Sequence, residues 1–299
     1  MFTDSHCHLS FDELRSQLPQ IRQAMDAAQV TRALCICTTI EEFDDVHSLA
    51  MGYDNFWSTV GVHPDNEGIY EPTLNDLIER SQRPKVVAIG ETGLDYYQMA
   101  ERKGGRTVAD MQWQRERFRT HIRAASATAL PLVIHTRNAS DDTLAILREE
   151  MLQAGGQGAA SGGASGGASA VTGACTGAVT GVFHCFTESM AVARAALDLG
   201  FYISFSGILT FKAAAELREV AAYVPLERCL IETDSPYLAP MPHRGKTNNP
   251  SFVPFVAQQL AALKGISVEA VAHATSHNFD LLFPRVTLST HTAAHAPAA

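Results

Sequence analysis

Asp4-Ser5-His6-Cys7-His8 closes the first apolar run of the chain, and the fold follows from how this stretch relates to the others. Side chains alternate across a strand with period two, so His6 and His8 share one face and Cys7 takes the other. Two imidazoles on one face of a strand end can grip a single metal ion. A bare His-x-His also arises by chance, so its meaning depends on what else arrives beside it.

Seven more apolar, β-branched runs follow that of Met1 to Thr3: Arg32 to Thr38, Phe56 to Val62, Val86 to Gly90, Leu132 to Ile134, Gly181 to Phe183, Phe201 to Ser204 and Cys229 to Ile231. Helical spacing fills the intervals, as in Phe11, Leu14, Leu18, Ile21 and Met25, in Phe118, Ile122 and Ala125, and in Leu144, Leu147 and Met151. Eight buried strands alternating with helices predict an α/β fold, either a closed (β/α)8 TIM barrel or an open doubly wound sheet. The polar residues separate the two. His6 and His8 follow the first run, His63 the third, Glu91 the fourth, His135 the fifth, His184 the sixth and Asp234 the eighth. A closed barrel gathers all these ends around one mouth, whereas an open sheet parts the first strand from the last, so the barrel is expected.

At 299 residues, 46% hydrophobic and 18% charged, the chain suits one large domain over residues 1–285. No signal-peptide pattern begins it and no apolar run nears the roughly 20 residues that span a bilayer, so a cytoplasmic protein without membrane or obligate protein partner is expected. The six cysteines form no CxxC pair and read as free thiols. A net charge of −9 argues against a broad basic surface, so a nucleic-acid substrate would need a local grip. Gly155 to Gly181 is nearly all Gly, Ala and Ser and reads as a flexible loop, and 286–299, with His291 and His295, as a disordered tail. Gln98 to Asp110 follows the fourth strand and carries Glu101, Arg102, Lys103, Gly104, Gly105 and Arg106, either a basic lid over an anionic substrate or a plain solvated loop.

Imidazole and carboxylate ligands without thiolate suit zinc, manganese or magnesium, and a set larger than four points to more than one ion. Two ions need a bridge, and the carboxylate of Glu91 is the candidate. His6, His8 and Asp234 would then complete one shell and His135 and His184 the other. A water acidified between the ions would attack phosphorus or a carbonyl carbon. Any one of these residues by itself is more often a hydrogen-bonded strand end or a turn opener; six at matching strand ends outweigh that reading. His63 is open between an extra ligand, a phosphate donor, a proton donor and a fixture of the turn before Pro64.

The successive segments Asp-Ser-His-Cys-His-Leu, Gly-Val-His-Pro, Gly-Glu-Thr-Gly-Leu-Asp-Tyr-Tyr, Val-Ile-His-Thr-Arg, Phe-His-Cys-Phe-Thr, Ile-Glu-Thr-Asp-Ser-Pro-Tyr-Leu-Ala-Pro and Arg-Gly-Lys-Thr-Asn-Asn-Pro resemble, in order, the signatures of the TatD family of metal-dependent hydrolases. The resemblance covers roughly residues 1–283 and implies a TIM barrel, two and sometimes three divalent cations, a cytoplasmic setting and deoxyribonuclease activity, often exonucleolytic. Residue by residue, it puts the metal ligands at His6, His8, Glu91, His135, His184 and Asp234. It makes His63 a catalytic or third-metal residue, and suggests that Tyr237, Arg244, Lys246 and Asn248 hold the nucleic acid. Glu188 stands where the family commonly has glycine, and Asn249 where it commonly has glutamate. The expected function is therefore hydrolysis of DNA phosphodiesters, trimming single strands 3′ to 5′, with Glu91, Asp234 and His63 in the chemistry. An amidohydrolase-like enzyme acting on an amide, lactone or small phosphoester is the alternative, and a metal-binding scaffold without catalysis is the third reading.

Overall fold

The computed structural model describes residues 1–99, 105–160 and 179–286. Eight parallel strands pair in chain order: β1 Phe2–Cys7, β2 Val30–Cys35, β3 Phe56–Val60, β4 Val86–Asp95, β5 Leu132–Arg137, β6 Gly181–Phe183, β7 Tyr202–Phe205 and β8 Cys229–Ile231. Helices separate them: α1 Asp12–Arg15 and α2 Leu18–Ala27 after β1, then α3 Phe43–Met51, α4 Leu74–Ser81, α5 Gln112–Thr128, α6 Ser140–Ala160, α7 Met190–Asp198 and α8 Ala215–Tyr223, with α9 Val253–Lys264 and α10 Val268–Leu282 after β8. This is the expected TIM barrel. No described helix is long and apolar enough to cross a membrane.

The ring closes just beyond β8. Cys7 bridges Ser235 in parallel, Asp234 N donates to His6 O over 2.9 Å and His8 N donates to Ser235 O over 2.9 Å. Side chains reinforce this seam. The buried Asp4 carboxylate accepts from Thr233 N at 2.9 Å and Thr233 Oγ1 at 2.6 Å, and Ser5 Oγ donates to Ile231 O at 3.0 Å. Within the ring, Leu34, Trp57, Val87, Val133, Val182, Tyr202 and Leu230, one from each of β2 to β8, form a single buried cluster with Phe279 and Phe283 at the end of α10. The apolar filling leaves the carboxyl ends of the strands to the polar residues.

Several boundaries differ from the sequence reading. β1, β4 and β5 run past their apolar stretches, so His6, Glu91 and His135 lie inside strands rather than after them. Thr92, Gly93 and Leu94 pair with Ile134, His135 and Thr136, and this backbone ladder continues regardless of side-chain polarity. The apolar spacing from Phe11 to Met25 is shared by two helices instead of one. Pro19 lacks an N–H and stands in the first turn of α2, so a new helix starts there. Helix α6 continues to Ala160, into the Gly/Ala/Ser segment, and Gly181 opens β6; residues 161–178 and the tail beyond 286 lie outside the described residues.

Gly93 faces His135 across the β4–β5 pair, with a φ of +135° and an added Cβ only 1.9 Å from His135 O. Gly93→Ala is expected to cost about 3 kcal/mol or more in urea unfolding, from backbone crowding and strain combined; an unchanged midpoint would refute this pairing. Burial lifts the Asp4 pKa to about 8 against the hydrogen bonds from Thr233 and His6 that favour its ionised form. A raised carboxyl pKa means that the folded chain holds a proton the unfolded chain has lost. Its stabilisation is complete below about pH 4 and disappears as pH rises through the folded value. The stability advantage of wild type over Asp4→Asn should therefore shrink from pH 4 to pH 8, and chemical unfolding across that range would show it.

Candidate metal centre

All six expected ligands, and His63, meet at the carboxyl end of the barrel. His6 Nε2 and His8 Nε2 lie 3.3 Å apart. The seam that closes the ring brings Asp234 to them, with Oδ1 3.5 Å from His6 Nε2 and 3.4 Å from His8 Nε2. Asp234 adopts a φ of +56°, a left-handed conformation that aspartate tolerates better than most residues. Glu91, inside β4, is buried and its N–H donates to Cys37 O at 2.9 Å. Its two oxygens face different partners. Oε2 lies 3.2 Å from His6 Nε2 and 3.9 Å from His8 Nε2, whereas Oε1 lies 3.3 Å from His63 Nε2, 3.3 Å from His135 Nδ1 and 2.8 Å from His184 Nε2.

These separations suit ions. Donors about 2.1 Å from a tetrahedral centre stand about 3.4 Å from one another. His184 Nε2 is buried and, although close to Glu91, has no aligned hydrogen-bond partner. Such a nitrogen is costly to bury unless something takes its lone pair.

Electrostatics prepare the same site. Burial lowers the pKa of His6, with the neighbouring His184 adding to the shift, and takes His63 down to about 3. Burial also opposes charge on His8, His135 and His184, but adjacent carboxylates outweigh it and raise all three: Asp234 and Glu91 for His8, Asp95 and Glu91 for His135, Glu91 and Glu232 for His184. Glu91 and Asp234 resist burial in turn, because the surrounding imidazoles hold both below the usual carboxylate range. The carboxylates stay ionised, as cation ligands must.

Two further carboxylates, absent from the expected set, stand behind the rings. His135 Nε2 donates to Asp95 Oδ2 at 3.1 Å, and His184 Nδ1 lies 3.2 Å from Glu232 Oε1. Each engages the outward nitrogen and turns the other nitrogen toward Glu91, where a cation would meet it, the arrangement that orients ligating histidines. Their sequence signal is only nearness to an expected ligand: Asp95 is four residues after Glu91 in β4, and Glu232 is two before Asp234, just past β8.

The expected substrate residues divide. Tyr237 is 55% exposed and lines, with Phe11, a cavity of about 620 Å³ that has Glu91, His63 and Asp234 in its wall. Arg244 and Lys246 are exposed and line an adjoining cavity of about 430 Å³, which also includes Tyr237; Arg244 lies over the Phe211 ring at 3.9 Å. Asn248 departs from expectation. It is fully buried, and its amide donates to Thr233 O at 2.8 Å and Tyr237 O at 2.6 Å, so it holds the loop and has no donor left for a ligand. Glu188 accepts from Ser140 Oγ at 2.6 Å, and Asn249 caps the short helical turn at Pro250–Phe252. Of the basic lid, Glu101 to Gly104 lie outside the described residues, and Arg106 is paired with Glu67 at 2.7 Å.

The family profile described as TatD related DNase matches residues 3–284. The chain belongs to this TatD family. A relative in Escherichia coli K12, the uncharacterized metal-dependent hydrolase YcfH, is 42% identical over 285 residues, covering 94% of each chain. Another, from Salmonella typhimurium, is named 3′-5′ ssDNA/RNA exonuclease TatD and is 30% identical, covering 86% of this chain and 89% of its own. The crystal structure of the TatD homologue YJJV from Escherichia coli K12 shares the fold with a TM-score of 0.77 at 24% identity, covering 95% of this chain and 98% of that one. The chain is thus a metal-dependent hydrolase of the TatD family, with candidate ion-binding groups at the barrel mouth.

Removal of the carboxylate behind His135 is expected to loosen that ring. Asp95→Asn should weaken zinc binding about 10- to 100-fold in a competition titration against a chromophoric chelator. Wild-type affinity in this variant would mean that His135 needs no such support.

Proposed function

We propose that this TatD-family hydrolase cleaves phosphodiester bonds of DNA, removing nucleotides from the 3′ end of single strands. The observation that carries the reading is Glu91, one carboxylate shared between two groups of imidazoles in the wall of a cavity of nucleotide size. His6, His8 and Asp234 with Oε2 would hold one divalent ion, and His135 and His184 with Oε1 a second, in each case Mg, Mn or Zn. Ions held there supply an acidified water as nucleophile and offset the charge that develops on phosphate.

The rest is the work of the chain's own residues. Glu91 and Asp234 hold the negative charge that draws cations to the mouth, and Asp95 and Glu232 keep His135 and His184 turned toward it. Phe11 and Tyr237, their rings edge to face at 6.4 Å, offer a terminal base something to stack on. Arg244 and Lys246 meet the phosphates that trail away, a local grip on an otherwise acidic protein. Attack from the 3′ end is supported by the name of the Salmonella relative, which also extends the substrate range to test to RNA.

On end-labelled oligonucleotides with Mg, Mn or Zn, the protein should release nucleotides one at a time from single-stranded 3′ ends. EDTA should stop the reaction, and Glu91→Ala or Asp234→Asn should lower kcat at least about 100-fold. Intact oligonucleotides, together with turnover on a panel of amides, lactones and small esters, would replace this reading with the amidohydrolase-like one.

A further inference from the structure

No carboxylate among the described residues pairs with the exposed Arg244; its guanidinium lies instead over the half-buried Phe211 ring, with Cζ 3.9 Å from the centroid. The next shortest approaches of this kind among the described residues, Arg22 over Tyr53 and Arg137 over Tyr97, are 4.4 Å. At 3.9 Å a guanidinium standing on edge would drive a nitrogen into the ring. The plane therefore lies along the ring, with one face covered and the other free.

The segments that carry the two residues are held together without help from this contact. Phe211 follows the short helical turn Gly207–Thr210 after β7, and Thr210 Oγ1 accepts from Met241 N at 2.8 Å. Gly207 packs so close to the loop after β8 that an added Cβ would lie 1.9 Å from Leu238 O. Next to Arg244, the His243 ring stacks on Phe252 at 4.1 Å and 8° and meets Phe255 edge to face at 4.7 Å. An arginine on so well fixed a backbone gives up little freedom when a ligand binds.

Its position suggests the ligand. Phe211, Arg244 and Lys246 line the cavity of about 430 Å³, and Tyr237 borders both this cavity and the one at the candidate metal centre. Tyr237 in turn faces Phe11. Planar groups thus run outward from the barrel mouth: Phe11, Tyr237, then Arg244 on Phe211. A guanidinium plane can stack on a nucleobase, whereas the ammonium of Lys246 offers only a point charge.

We infer that Phe211 and Arg244 form a base-stacking platform for the nucleotide next to the 3′-terminal one. The base rests on the free face of the guanidinium, while the guanidinium nitrogens and Lys246 keep the phosphates. This rests on the phosphodiesterase reading and deepens it: the substrate is a strand with two unpaired bases at its end, because a base held on either platform has left the stack of a duplex. The platform accepts any sequence, since every base has a π face. Phe211 is the positioning residue for Arg244.

The test is an anisotropy titration of the zinc-loaded full chain against a 5′-fluorescein single strand whose last two linkages are cleavage-resistant phosphorothioates. Two strands are compared, one with a base and one with an abasic sugar at the penultimate position. Wild type should bind the complete strand about 5- to 150-fold more tightly. Arg244→Lys keeps the charge but not the plane, so it should lose most of that preference with a salt dependence like that of wild type. Phe211→Ala should lose the preference and Phe211→Tyr keep it. Lys246→Ala should weaken both strands alike and lower the salt slope by about one. Equal affinity of wild type for the two strands, or an undiminished preference in Arg244→Lys, overturns the platform and leaves the phosphodiesterase reading standing. Arg244 is exposed, so its variant decides the matter even if Phe211→Ala does not fold. A wild type that binds neither strand overturns the platform and the nucleic-acid reading together.

Discussion

The seam between β1 and the residues after β8 does two things with one set of bonds. Asp234 N to His6 O and His8 N to Ser235 O complete the hydrogen-bonded ring, and they also set the Asp234 carboxylate beside the His6 and His8 rings. The Asp4 carboxylate binds the seam one turn of the pleat below, through Thr233. Because side chains alternate with period two, a slip of one residue here would turn both histidines out of the barrel. Fold closure and the first candidate ligand pair are therefore one structural event.

Once closed, the barrel concentrates charge where solvent is scarce. Five imidazoles and two carboxylates crowd its mouth, with Glu91 and His6 almost wholly buried. Burying an ionised carboxylate is expensive unless it is paired. Glu91 meets this cost by dividing its oxygens between two groups of rings, and Asp95 and Glu232 settle the protons behind two of those rings. The residual cost, visible in His184 Nε2, which is buried against Glu91 without an aligned hydrogen bond, is the kind that a bound cation removes.

The chain as a whole is acidic, with a net charge of −9. Arg244 and Lys246 project from a loop whose path is fixed by the buried Asn248 amide. Asn249 serves as a cap, so its side chain is tied to Ser251. Arg106 is engaged by Glu67 and adds no free positive charge to the rim. Among the described residues, the loop after β8 offers a polyanion the exposed Arg244 and Lys246.

Sequence alone determined the architecture and picked out the candidate ligands. Eight apolar runs, six of them followed by a residue with metal-binding chemistry, are local patterns, and the candidates His6, His8, Glu91, His135, His184 and Asp234 could all be read from them. Strand lengths were less legible, because polar residues at the carboxyl ends of β4 and β5 hide a ladder formed by main-chain groups. The resemblance suggests Asn248 for the nucleic acid, but its burial and its two amide bonds, to Thr233 O and Tyr237 O, depend on tertiary contacts that no local pattern shows. Only the tertiary structure decided which oxygen of Glu91 meets which ring, and which carboxylates stand behind His135 and His184. Those depend on contacts between residues tens to hundreds of positions apart, from Asp95 to His135 and from His6 to Asp234, which no local periodicity encodes.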